Sequence, residues 1–301
     1  MLGGDRLDFH HNWVNNFNDE GIILDGALGT DNRFHENVLV KTLSPISFAG
    51  NKLGGPFQIY RNLVDVRYPT AGFRPRFTGD VDIWRYGNTF KSNFVDGPYD
   101  LFQNTFMVKA QEGQASYLHY RAGVTHRRRT FNNIFVAVNP DEASDHALSF
   151  LPSPSAPAEV DGNLYHRIGL ATRPLLRYLG YQHGGGTFPG GSFAHLADLY
   201  ASLFFTQSQS QYAPGYEAKS LEANPQFLRI GGDGAGRDSD DLRLGVSSPA
   251  RAAGVKLPAD LGLLDGQVVP PSDTPDIGSY AFGSLPLEVG VDGRRSYPNQ
   301  P

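Results

Sequence analysis

The chain has 301 residues, 40% of them hydrophobic, 12% aromatic and only 19% charged, with 35 glycines and 21 prolines. Its formal net charge of −5 argues against a general nucleic-acid binder, and no apolar run is long enough for a transmembrane helix. With no cysteine, disulfides, thiolate metal sites and a cysteine nucleophile are all excluded.

The opening segment, Met1–Arg6, has no apolar stretch of the signal-peptide kind and leads directly into repeats. An asparagine recurs before an apolar or Thr-aromatic pair at Asn12, Asn37, Asn62, Asn88, Asn104, Asn133 and Asn163. Their successive gaps are 25, 25, 26, 16, 29 and 30 residues. Repeats at periods of roughly 20 to 50 residues mark solenoids, propellers or arrays. The flanking segments alternate, are rich in Phe, Tyr, Val, Ile and Thr, and are bounded by Gly, Pro and Asp, which predicts short strands and turns. Two segments, Gly55–Asn62 and Gly97–Asn104, are nearly superimposable. The pattern predicts a parallel β-solenoid over residues 1–165, its asparagine amides stacked at a spacing of about 4.8 Å and hydrogen-bonded into a ladder. Asparagine also tolerates the left-handed backbone of a tight corner. The uneven later gaps predict loops inserted at one corner. A stack that begins without a cap would expose strand edges, so the chain is expected to be the C-terminal portion of a longer protein, with any signal peptide in the missing part.

After Asn163 the texture changes to an extension over residues 166–301. A short helix is predicted over 192–204 with Ser192 as N-cap. Gly184–Gly191 reads as a flexible loop. The stretch from residue 216 onward, with 12 acidic and 8 basic residues, is expected to wrap back along the stack. The asparagine repeats, with Ser220–Phe227, Asp241–Leu244, Ser248–Val255 and Asp276–Tyr280 taken in that order, resemble right-handed parallel β-helix proteins of the pectin-lyase-like superfamily. The resemblance covers residues 5–282. It implies an all-β, right-handed parallel β-helix and a secreted, periplasmic or cell-surface protein that works on carbohydrate. It does not imply one reaction, because function resides in sites rather than folds. Polygalacturonase-like members need Asn-Thr-Asp, Asp-Asp, Gly-His-Gly and Arg-Ile-Lys. Here Gln182-His183-Gly184 and Arg167-Ile168-Gly169 stand instead, and Asp240-Asp241 lies outside the repeats. Pectate-lyase-like members carry Trp-Ile-Asp-His, against Val81-Asp82-Ile83-Trp84 in this chain. Neither catalytic set carries over.

Three groups of residues are candidates for chemistry. Asp19, Glu20 and Asp25 flank a turn before an apolar strand; paired carboxylates suit glycoside hydrolysis, equally suit Ca²⁺, or simply close the turn. Arg61, Arg67, Arg74, Arg76, Arg85 and Lys91 accompany Asp65, Asp80 and Asp82, with Tyr68, Trp84 and Tyr86 interleaved. A lyase acting on uronic acids must neutralise the substrate carboxylate and remove the C5 proton. Arg67 and Arg74 are assigned to that chemistry, and Arg61, Arg76, Trp84, Arg85 and Lys91 to substrate binding. The plainer alternative pairs these arginines with the three aspartates. His10 and His35, each two residues before a ladder asparagine, should stack in neighbouring coils and contact substrate, form a metal or acid/base site with Asp19 or Asp25, or simply be polar positions on a solvated strand. Arg127–Arg129 reads as a solvated turn, with polyanion contact as its alternative. The resulting expectation is a monomeric lyase or hydrolase of an acidic polysaccharide, with Ca²⁺ the only cofactor suggested. A non-catalytic glycan-binding or adhesion solenoid is the competing reading.

Overall fold

The computed structural model describes residues 5–15, 20–23, 29–42, 44–48, 55–67, 91–92, 98–109, 127–138, 148–169, 174–231, 236–261 and 273–297. Its strands repeat coil by coil. The first coil holds β1 (Asp8–His10), β2 (Trp13–Asn15) and β3 (Glu20–Ile23), and the second β4 (Asn32–His35), β5 (Val38–Val40) and β6 (Ser44–Phe48). The third holds β7 (Phe57–Tyr60), β8 (Leu63–Val66) and β9 (Lys91–Ser92), and the fourth β10 (Tyr99–Phe102) and β11 (Thr105–Lys109). Two more follow: β12 (Arg128–Phe131), β13 (Ile134–Val138) and β14 (Ser149–Leu151), then β15 (Ala158–Asp161), β16 (Leu164–Ile168) and β17 (Leu176–Tyr178). Corresponding strands pair in parallel. Sheet A runs β1-β4-β7-β10-β12-β15, sheet B begins β2-β5-β8-β11-β13-β16, and sheet C is β3-β6-β9. The chain is an all-β parallel solenoid. The two near-identical segments stack in register, with Phe57 on Tyr99 and Tyr60 on Phe102.

Alternation along each strand sends one set of side chains inward. Phe34, Ile59 and Leu101 from sheet A meet Leu39, Val64, Phe106 and Phe135 from sheet B in the solenoid interior. The outer face of sheet B is apolar too. Val38, Val40, Leu63, Met107, Ile134 and Val136 pack under Leu242, Leu244, Ile277, Tyr280, Val289 and Tyr297 of the C-terminal stretch. Strands buried on both faces explain why β8 and β13 read as nearly continuous apolar runs.

The corner between sheets A and B carries the ladder. Asn12 donates from its side chain to Asn37, Asn37 to Asn62, Asn62 to Asn104, Asn104 to Asn133 and Asn133 to Asn163, at 2.9–3.0 Å. Each acceptor oxygen also takes the backbone N–H of the preceding rung. Asn88 lies outside the described residues; the rung that Asn62 donates to is Asn104, 42 residues on. The left-handed position is not the asparagine either. It is the residue before it: His11, Glu36, Arg61, Gln103 and Asn132 have φ of 52–56°, and Gly162 has 68°. A side chain is so carried outward at each of the first five corners, one per coil.

The last rung has no further asparagine to donate to. Its amide turns to the buried Glu217 carboxylate at 3.1 Å, which also accepts the Tyr165 hydroxyl at 2.6 Å and the Ser220 hydroxyl. Burial pushes the Glu217 carboxyl up to about 7, against these three hydrogen bonds and with the Asp161 charge adding to the rise.

The structure corrects three further expectations. Gly184–Gly191 belongs to a hairpin-rich element with β18 (Tyr181–His183), β19 (Gly186–Phe188) and β20 (Gly191–Phe193); Gly184 and Gly185, both at positive φ, form the two-residue turn. Ser192 sits in β20. The helical stretch is two helices, α1 (Leu196–Tyr200) and α2 (Leu203–Ser208), because Ser202 breaks the run and caps α2 by accepting the Phe205 N–H. Arg127–Arg129 is no solvated turn, since Arg128 and Arg129 are buried in β12. Asp100 of the coil below holds the Arg129 guanidinium through two bonds, and Asp260 holds its other side.

Candidate functional site

The outward row at the corner becomes a site over the first three coils. Glu36 lies between His11, 3.7 Å away, and Arg61, whose Nη1 donates at 3.3 Å. Beneath Glu36 sits His35, fully buried, with Nδ1 3.0 Å from Glu36 Oε2 and Nε2 2.7 Å from Asp8 Oδ1. His35 is fixed by stacking as well. Its ring lies 5.0 Å from that of His10 at 12° and 4.6 Å from that of Tyr60 at 5°. The register expected of His10 and His35 is present, with the two directly paired across β1 and β4.

Burial raises the Glu36 carboxyl, but the His35 hydrogen bond and the nearby Arg61 and His11 more than offset it and hold the group below its ordinary value. Glu36 is therefore an ionised acceptor at neutral pH. The His11 imidazole moves down, chiefly because burial disfavours its cation, with Glu36 opposing and His10 and His35 reinforcing the shift.

Over this row passes the C-terminal strap. Gly278 N donates to Asn132 O at 2.9 Å, Ser279 bonds Thr105, and Gly290 N donates to His11 O at 2.7 Å. Between these pins the strap arches away and leaves a cavity of about 290 Å³. His11, Glu36 and Arg61 form its polar wall, and Glu288 stands on the strap side. Leu63, Ala281, Leu285, Pro286 and Leu287 supply apolar surface. The buried Ser284 hydroxyl beside it has no hydrogen-bond partner among the described residues, a condition that water or a ligand group usually relieves.

Of the residues singled out in the sequence, Arg61, His10 and His35 gather at this corner. Arg67 does not. It is fully buried, bonded to Asp65 at 2.9 and 2.7 Å and to Asp240 at 2.7 Å, so no face is left for a substrate carboxylate. That is the ion-pair alternative, with Asp240 from the tail as the added partner. Glu20 begins β3 opposite Ser44, and Lys91 begins β9 opposite Ser47, both in sheet C. Asp19, Asp25, Arg74, Arg76, Trp84 and Arg85 lie outside the described residues. Among the described residues no group of three or more His, Asp or Glu side chains is arranged to hold a metal ion, so no Ca²⁺ site is assigned.

His11, Glu36 and Glu288 escaped sequence reasoning. A signal for the first two exists, because each immediately precedes a ladder asparagine and is turned outward by its left-handed backbone. Glu288 has no local signal; it lies 252 residues beyond Glu36, on a strap that brings it to the same cavity. No family profile matches the chain, and no curated protein or solved structure matches it either. No helix among the described residues is long and apolar enough to cross a membrane.

Proposed function

We propose that this chain engages an acidic polysaccharide and that the corner cavity takes one of its uronate units. The observation that carries the reading is the match between the cavity walls and the faces of such a sugar. Arg61 offers a guanidinium for the carboxylate. The ionised Glu36 and the strap's Glu288 accept from hydroxyl groups. Leu63 and the Ala281–Leu287 side chains meet the C–H face. At about 290 Å³ the cavity lies at the small end of the range for ligand pockets, roughly 300 to 1,000 Å³, which suits a single ring. A polysaccharide ligand in turn places the protein outside the cell or on its surface, in keeping with the resemblance to right-handed β-helix proteins of the pectin-lyase-like superfamily.

The test is calorimetric titration with a panel of galacturonate, glucuronate and mannuronate oligosaccharides beside their neutral counterparts. Binding of at least one uronate series, with a tenfold or greater loss in Arg61→Gln, supports the reading. Equal affinity for neutral and acidic glycans, or no loss in Arg61→Gln, refutes it.

One observation favours cleavage over binding alone. His11, held toward its neutral form by burial, stands on the same wall as Arg61. In β-elimination Arg61 would neutralise the carboxylate and His11 would take the C5 proton. The C4–O bond then breaks, leaving an unsaturated end, and the departing oxygen takes a proton from water. New ultraviolet absorbance from unsaturated ends, lost in His11→Ala, identifies the lyase. Binding with no such product identifies the glycan-binding solenoid.

A further inference from the structure

The geometry points to a site that takes the end of a polysaccharide chain and not its interior. This inference rests on the glycan reading and narrows it. The outward row along the corner is continuous in the solenoid, yet the C-terminal stretch covers it at the later coils. At the fifth coil Asn132 is clamped by Val255, donating to its carbonyl and accepting its N–H, both at 2.8 Å. At the fourth, Gln103 reaches the Asp276 carbonyl, and Ser279 is tied to Thr105 through its N–H and its hydroxyl, both at 3.0 Å. Among the described residues, His11, Glu36 and Arg61 are the members of the row that face the cavity.

That opening is bounded in three directions. Toward the fourth coil stand the Ser279–Thr105 contacts and the Gly278 pin; a Cβ on Gly278 would lie only 2.6 Å from Ile134 Cδ1, so the strap there rests directly on the solenoid. Toward the first coil the Gly290 N–H closes on His11 O at 2.7 Å. On the sheet B side Tyr280 and Val289 are buried against the outer face of the sheet, and the Tyr297 ring packs tilted against that of Trp13 at 5.7 Å. A glycan running through the cavity along the row would have to thread beneath a strap pinned at both ends. A terminal unit, by contrast, need not pass beneath either pin.

The experiment uses the whole chain and the uronate series that binds best. Dissociation constants are measured for the monosaccharide, the trimer, the decamer and the long polymer, each expressed per chain end. Chain-end recognition predicts constants per end that agree within about threefold from trimer to polymer. Affinity per end that climbs in proportion to chain length overturns the inference, because it shows that internal units bind as well. That outcome leaves the glycan reading standing, whereas no binding at any length removes the glycan reading itself.

Discussion

Replacing Asn62 by alanine breaks the ladder at its middle and should cost far more than the same change at its end. The Asn62 amide donates to Asn104 Oδ1 at 3.0 Å and to Phe34 O at 2.9 Å, and its oxygen accepts from Asn37 N at 3.1 Å and Asn37 Nδ2 at 2.9 Å. Truncation removes all four bonds. It leaves the Asn37 backbone N–H without an acceptor at a fully buried position, at about 1–3 kcal/mol. The other three bonds add about 0.5–1.5 kcal/mol each, less what relaxation recovers, for a total on the order of 3–5 kcal/mol. Asn12 is half-exposed, its oxygen bonds no preceding rung, and water replaces what alanine removes, so Asn12→Ala should cost about 1 kcal/mol or less. Urea unfolding followed by circular dichroism compares the two variants with the parent. Equal losses at the two positions, or a loss below about 1 kcal/mol at Asn62, would refute the ladder as a source of stability.

Three other outcomes are expected. Glu217 has its folded value raised to about 7 from an ordinary 4.5, so the stability it contributes is fully present below 4.5 and disappears as pH rises through 7. The swing is on the order of 3 kcal/mol, and thermal melts between pH 4.5 and 8 should show it in the parent and largely lose it in Glu217→Gln. Arg67→Leu leaves the Asp65 and Asp240 carboxylates buried together without their cation and should destabilise by about 3–5 kcal/mol; uronate affinity measured well below the melting point should stay within twofold. A parallel loss of binding would return Arg67 to the glycan site. His35→Phe keeps a ring in the stack but removes both nitrogens that face Asp8 and Glu36. It should weaken uronate binding at least fivefold while circular dichroism stays parental, and unchanged affinity would show that His35 does not position Glu36.

The coil architecture was legible because the ladder asparagine, its aromatic neighbour and the following apolar pair are local, repeated signals. The His10–His35 stacking and the Phe57–Tyr99 register follow from that ruler alone. The ruler alone does not name the rung after Asn62: Asn88-Thr89-Phe90 matches Asn104-Thr105-Phe106 closely, and the bond from Asn62 to Asn104 identifies the partner. Arg128 and Arg129 were misleading. A basic run reads as solvated until Asp100, 29 residues earlier, and Asp260 in the tail are seen to neutralise it. The cavity was the least legible feature. Its polar wall follows from the residue before each asparagine, but its roof comes from residues 279–288, placed there by contacts that span most of the chain.

The central claim is that a uronate unit sits under the strap between Arg61 and Glu288. A crystal structure of the chain grown with a uronate trisaccharide tests it most directly. Density is expected for one terminal ring in the cavity, its carboxylate within hydrogen-bond distance of the Arg61 guanidinium and the remaining rings leading out into solvent. An empty cavity with the trisaccharide bound elsewhere on the solenoid would contradict it.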